Sequence, residues 1–180
     1  MIVEKIKMQQ TLNSIKQKNK KLYGNSYNKN ILFLDFDGVI NIPVKFSDDL
    51  SDEDLINLYK FANKKCMDNL NKLCKMFDFK IVISSSWRIS GMDYCKKYLL
   101  DSGLDESIEI IGMTKNEEIV KRYYEIYDYL IKFNNFTNFL ILDDIYMESL
   151  SSYAILTQFE KGFDEEMLKK AIELFNKNNK

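Results

Sequence analysis

The chain has 180 residues, 46% of them hydrophobic and 29% charged, which suits a single domain with one well-buried core. Its net charge of −1 excludes a uniformly basic polyanion binder. The complete absence of histidine excludes Ser-His-Asp hydrolases, Cys-His nucleophile pairs, histidine phosphatases and His-ligated zinc enzymes.

Charge is unevenly placed along the chain. Residues 1–30 hold seven lysines against Glu4 alone, so this segment is +6 and the other 150 residues carry −7. Residues 1–22 can form a polar helix with a broken apolar stripe, Ile2, Ile6, Leu12 and Ile15, and Gly24 to Asn30 is polar and turn-like. Residues 1–29 are therefore expected as a polar, basic extension, with residues 30–180 forming the domain. The extension reads as a solvated tail; its rival role is a weak electrostatic arm for nucleic acid.

Ile31-Leu32-Phe33-Leu34-Asp35 is a short apolar run ending in the turn residues Asp37-Gly38, which predicts a buried parallel strand. From Asp52 the spacing turns helical through Leu55, Leu58, Met67, Leu70, Leu73 and Phe77. Phe79 to Ser84 is a second strand, followed by a helix through Tyr94 and Leu99 that ends near Gly103. Ile108 to Ile111 is a third strand, and Glu117 to Phe133 a helix with Ile119, Val120, Tyr123, Ile126 and Leu130 recurring at three and four residues. Phe139 to Asp143 and Ala154 to Thr157 complete five strands. A last helix runs from Asp164, its N-cap, to Phe175. Strands alternating with helices imply an α/β fold: a three-layer α/β/α sandwich around a parallel, Rossmann-like sheet of about five strands.

The three cysteines, Cys66, Cys74 and Cys95, are odd in number and read as free thiols of a reducing compartment. Six residues after each stand Lys72, Lys80 and Asp101, so the arginine of a cysteine-phosphatase loop is missing. No G-x-x-x-x-G-K-[ST] loop occurs. No apolar run reaches the length of a secretory signal or a membrane span, so a cytoplasmic location, with a nuclear one as the alternative, is the expectation.

In such sheets chemistry gathers at the carboxyl ends of the strands. There the sequence places Asp35 and Asp37, then Ser84-Ser85-Ser86-Trp87-Arg88, then Thr114-Lys115, then Asp143-Asp144. Four converging carboxylates repel one another and call for a hard cation; oxygen-only ligands favour Mg²⁺. A lysine and serine hydroxyls in the same place suit phosphate oxygens. Of the serines, Ser84 or Ser85 is favoured as the phosphate contact, and at least one of the three is expected as a helix N-cap. Trp87 reads as a packing residue, and Arg88 as either a substrate contact or a surface ion pair.

Asp35-Phe36-Asp37-Gly38-Val39 resembles the first motif, DxDG[TV], of the haloacid dehalogenase (HAD) superfamily. The serine run resembles the second motif, Lys115 the basic third, and Asp143-Asp144 the acidic fourth, in order over about residues 31–175. Ser85-Ser86-Trp87-Arg88 with Leu142-Asp143-Asp144 is most similar to the small capless branch of RNA-repair-associated phosphatase modules. The resemblance implies a phosphoric monoester hydrolase working through an aspartyl phosphate. In it Asp35 is the nucleophile and Asp37 the general acid/base, Asp35, Asp37 (through its main-chain carbonyl), Asp143 and Asp144 hold Mg²⁺, and Ser84 or Ser85, Arg88 and Lys115 receive the phosphoryl oxygens. Lys115 is followed by Asn116 where the branch often has glycine, and Lys121 is the substitute cation. Only about residues 41–60 are available for a cap, so an open site is expected, suited to a nucleotide or a phosphorylated nucleic-acid end. Two other readings compete. A receiver domain also gathers acids, Ser/Thr and Lys, but its acidic pair precedes the phosphoacceptor, the reverse of the order here. A catalytically silent binding module would be more in keeping with the loss of Asp35 or Asp37, and both are present.

Overall fold

The computed structural model describes residues 2–24, 29–43, 60–115 and 120–179. Its elements, in order, are α1 (Ile2–Tyr23), β1 (Asn30–Leu34), α2 (Lys64–Phe77), β2 (Phe79–Ile83), α3 (Met92–Asp101), β3 (Ile110–Met113), α4 (Arg122–Lys132), β4 (Asn138–Asp143), β5 (Ala154–Leu156) and α5 (Glu165–Asn178). Short 3-10 turns at Ser86–Ser90 and Glu148–Tyr153 lead into α3 and β5. The five strands form one all-parallel sheet in the order β3-β2-β1-β4-β5. This is the α/β architecture expected, with the first strand central.

Consecutive side chains on a strand leave by opposite faces, and the two faces are clearly separated. Leu32, Leu34, Ile81, Ile83, Leu140 and Leu142 pack against α2, α3 and α5. Ile31, Phe33, Val82, Phe139 and Ile141 pack against α1 and α4. Asn63 caps α2 by accepting from the Cys66 amide, and Asp164 caps α5 by accepting from the Met167 amide. The three cysteines are free and buried. No helix among the described residues is long and apolar enough to cross a membrane.

Two elements differ from the expectation. The third strand lies two residues later, at Ile110–Met113, because Asp105 to Ile108 close a turn through the Ile108 amide and the Asp105 carbonyl. Its Gly112 is required: a Cβ there would stand 2.6 Å from the Tyr129 hydroxyl. The polar helix of residues 1–22 forms, as α1, but it is docked and not a solvated tail: Met8 and Leu12 are buried in the α4-side core. Asn19 donates to the carbonyls of Asn134 and Phe136, and the Lys16 ammonium lies over the rings of Phe139 and Tyr153. Lys7, Lys18, Lys20 and Lys21 remain exposed. The expected helical turns at 52–59 and 117–119 fall outside the described residues.

Leu12 tests the docking of α1. Leu12→Ala is expected to lower the unfolding free energy by about 3 kcal/mol, the cost of truncating a fully buried leucine. Urea denaturation measures it, and an unchanged midpoint would mean that α1 does not belong to the core.

Candidate active site

The sheet register brings the site together. Leu34 pairs with Ile83 and with Leu142, and Ile83 pairs with Met113. The next residue on each strand therefore stands level with its neighbours: Thr114, Ser84, Asp35 and Asp143, side by side from β3 to β4. Main-chain bonds from Ser84 to Leu34, from Asp35 to Leu142 and from Thr114 to Ile83 carry the register to this row. By alternation all four side chains leave on the α4 face, and none is more than 4% exposed.

A buried polar row needs partners. Asp35 Oδ1 accepts from the Phe36 amide at 2.8 Å, and Asp143 Oδ1 from the Ile145 amide at 2.9 Å. The second oxygens of both carboxylates meet one cation, Arg122, whose Nη1 lies 2.7 Å from Asp35 Oδ2 and 2.9 Å from Asp143 Oδ2. Arg122 is the first residue of α4, where the helix dipole disfavours a positive charge; the two carboxylates offset that cost. Burial opposes the charge on Arg122, but Asp35 and Asp143 outweigh it and raise its pKa. Ser84 Oγ and Thr114 Oγ1 are buried with no hydrogen-bond partner among the described residues. An unpaired buried hydroxyl costs about 1–3 kcal/mol, and two of them in one row point to a ligand that bonds them.

Asp144 adds a third carboxylate. One oxygen each from Asp35, Asp143 and Asp144 lie within 4.8 Å of one another. Burial first, and then the charge of Asp35, push the Asp143 carboxyl up to about 7 and raise that of Asp144. Three crowded carboxylates offering only oxygen fit a hard divalent cation, which would relieve this repulsion. Gly38 makes room for them: its φ is +70°, and a Cβ there would stand 2.6 Å from Asp144 Oδ2. The Thr157 hydroxyl holds the Gly38 carbonyl at 2.7 Å.

The Asp37 carboxylate is occupied separately. It accepts from Trp87 Nε1 at 2.8 Å and from Asn41 Nδ2 at 3.0 Å. The Tyr98 hydroxyl donates to Asn41 Oδ1 at 2.7 Å, which orients the amide with its nitrogen toward Asp37. Trp87 also packs on Tyr98 and Phe36, so one side chain both fills the core and fixes the carboxylate.

The remaining candidates are distributed as follows. Ser85 caps the 3-10 turn by accepting from the Trp87 amide, and Ser86 is exposed. Arg88 is buried; it donates to the Ser84 carbonyl and forms a 2.6 Å ion pair with Glu125 of α4. Lys115 lines another cavity with Met113, Asp128 and Lys132. Lys121 pairs with Glu148 at 2.5 Å on the surface. Arg122, which bridges Asp35 and Asp143, was not among the expected residues. Its signal in the sequence is spacing: Arg122, Ile126 and Leu130 fall four residues apart, so a charged residue continues the buried stripe of α4.

Two comparisons returned nothing: no curated protein and no solved structure matches the chain significantly. One family model does match, over residues 31–168: the HAD domain in Swiss Army Knife RNA repair proteins. The match spans β1 to the start of α5 and includes every carboxylate described above.

Proposed function

Because the chain belongs to the family of HAD domains in Swiss Army Knife RNA repair proteins, we propose that it is a Mg²⁺-dependent phosphatase whose substrate is a nucleotide or a phosphorylated nucleic-acid end. The observation that carries this reading is the row at the sheet edge: a buried carboxylate, Asp35, with a guanidinium on one oxygen and the buried Ser84 hydroxyl beside it.

The residues divide the chemistry between them. Asp35 attacks phosphorus, and the bond to the leaving oxygen breaks as Asp37 gives that oxygen a proton. The carboxylate of Asp37 then takes a proton from the water that attacks the aspartyl phosphate, which releases inorganic phosphate and restores Asp35. Ser84 and Arg122 receive the phosphoryl oxygens, whose charge grows in the transition state. Asp35, Asp143, Asp144 and the main-chain carbonyl of Asp37 would hold Mg²⁺, which would neutralise charge and polarise the phosphoryl group. Trp87 and Asn41 keep Asp37 in one orientation throughout.

Phosphate release from p-nitrophenyl phosphate, with Mg²⁺ and with EDTA, tests the reading. Turnover is expected only with the metal. In Mg²⁺, Arg122→Ala is expected to lower kcat/KM by about 10²–10³-fold, the usual loss for one transition-state donor, whereas Lys115→Ala leaves it nearly unchanged. Equal turnover in EDTA would sink the metal-dependent mechanism, and a severe Lys115→Ala with a mild Arg122→Ala would move the phosphate contact back to Lys115.

A further inference from the structure

A cavity of about 450 Å³ opens beside the carboxylates, on the side of α4 and the loop after β4. Three of its lining residues touch the polar row directly. Arg122 bridges Asp35 and Asp143, the Ile145 amide bonds Asp143, and Arg88 bonds the Ser84 carbonyl. The outer wall is of a different character. Ile145 and Tyr146 are 51% and 61% exposed, although they directly follow the buried Asp143 and partly buried Asp144. Their loop is pinned on both sides, by the Ile145–Asp143 bond and by Met147, which is buried. Tyr146 is thus displayed outward by a fixed backbone. Across the rim Lys121 pairs with Glu148, a solvent-accessible ion pair of the kind worth little in water, and its ammonium lies 6.0 Å from the Tyr123 ring centroid, so the ammonium can be exchanged to another anion.

We infer that this cavity seats the leaving group, and that it takes the terminal nucleotide of a nucleic-acid strand: the base against Tyr146 and Ile145, the next backbone phosphate on Lys121, and the terminal phosphate at Asp35. The inference rests on the phosphatase reading for the position of the terminal phosphate alone. An exposed aromatic face recognises any base by stacking, and a neighbouring cation recognises the charged backbone. A phosphoprotein would bring no second phosphate for Lys121.

The test uses the full chain carrying Asp35→Asn, so that the ligand persists, with and without Tyr146→Ala. Tyr146 is exposed and its loss leaves the core intact. Fluorescence anisotropy with 3′- and 5′-phosphorylated RNA tetranucleotides in Mg²⁺ gives one Kd, and calorimetry with inorganic phosphate the other. Removing Tyr146 is expected to weaken the oligonucleotide about tenfold relative to inorganic phosphate, the loss of one stacked base. No oligonucleotide binding, an unchanged ratio, or tighter binding of a phosphotyrosine peptide overturns the assignment. The two readings fail separately. Tyr146-dependent binding without hydrolysis by the wild type keeps the cavity and removes the phosphatase; hydrolysis with Tyr146-independent binding does the reverse.

Discussion

Asp35→Asn is expected to reduce turnover by roughly 10⁴-fold or more while the protein stays folded, since loss of a covalent nucleophile is among the most severe single changes an enzyme can suffer. The amide has the shape of the carboxylate but is a poor nucleophile. Its effect on stability is smaller because two changes oppose each other. Arg122 loses one of its two carboxylates, which is unfavourable. Asp143 loses the charge that, after burial, contributes most to raising its pKa, which is favourable. The net change is expected within about 1 kcal/mol, inside the range of ordinary substitutions. Phosphate release at saturating substrate, alongside urea unfolding, measures both. Turnover retained in Asp35→Asn would end the aspartyl-phosphate mechanism, and an unfolded variant would make the activity result uninformative and shift the test to Asp35→Glu.

Most of the sheet was legible because its strands are buried on both faces. Ile31–Leu34 and Phe139–Leu142 are unbroken apolar runs for that reason, Phe79–Ile83 is interrupted only by the partly buried Lys80, and each ends where a polar group begins the site. β3 was displaced because Gly112 interrupts the apolar run before Met113; the glycine leaves room for the Tyr129 hydroxyl, a contact no local pattern announces. α1 was read as an extension because its docking face is not an apolar stripe. Ile2 and Ile6 of the visible stripe are exposed, while Asn19 and Lys16 dock through carbonyls and rings.

The site divides along the same line. Residues at the strand ends, Asp35, Ser84, Asp143 and Asp144, could be found by position, because alternation and parallel register carry them to one edge. The groups that reach in from helices could not be found that way. Arg122 arrives from α4 and Tyr98 from α3, and the choice among Ser84, Ser85 and Ser86 depended on which of them continued the strand. Charged residues standing on the buried stripe of a helix, as Arg122 and Glu125 do, are the trace such groups leave in a sequence.

Glu125 and its partner Arg88 give the second large effect. Their side chains are 4% and 3% exposed, and they join α4 to the turn after β2. Removing one member strands the other charge in the interior, so Arg88→Met and Glu125→Leu are each expected to cost about 3–5 kcal/mol in urea unfolding. Removing both leaves neither charge without its partner, and Arg88→Met/Glu125→Leu is expected to recover much of that loss, since paired buried charges are often replaceable by apolar groups of similar size. Activity should not recover with it. Arg88 bonds the carbonyl of Ser84, and Glu125 stands one turn along α4 from Arg122, so the pair sets two of the groups proposed to meet the phosphoryl oxygens. A double variant that is stable but slow, with kcat reduced more than substrate affinity, would show that the ion pair positions the site. A double variant as active as the wild type would make the pair a matter of packing alone. Single variants that each cost under about 1 kcal/mol, the range of solvated pairs, would mean that water reaches the pair.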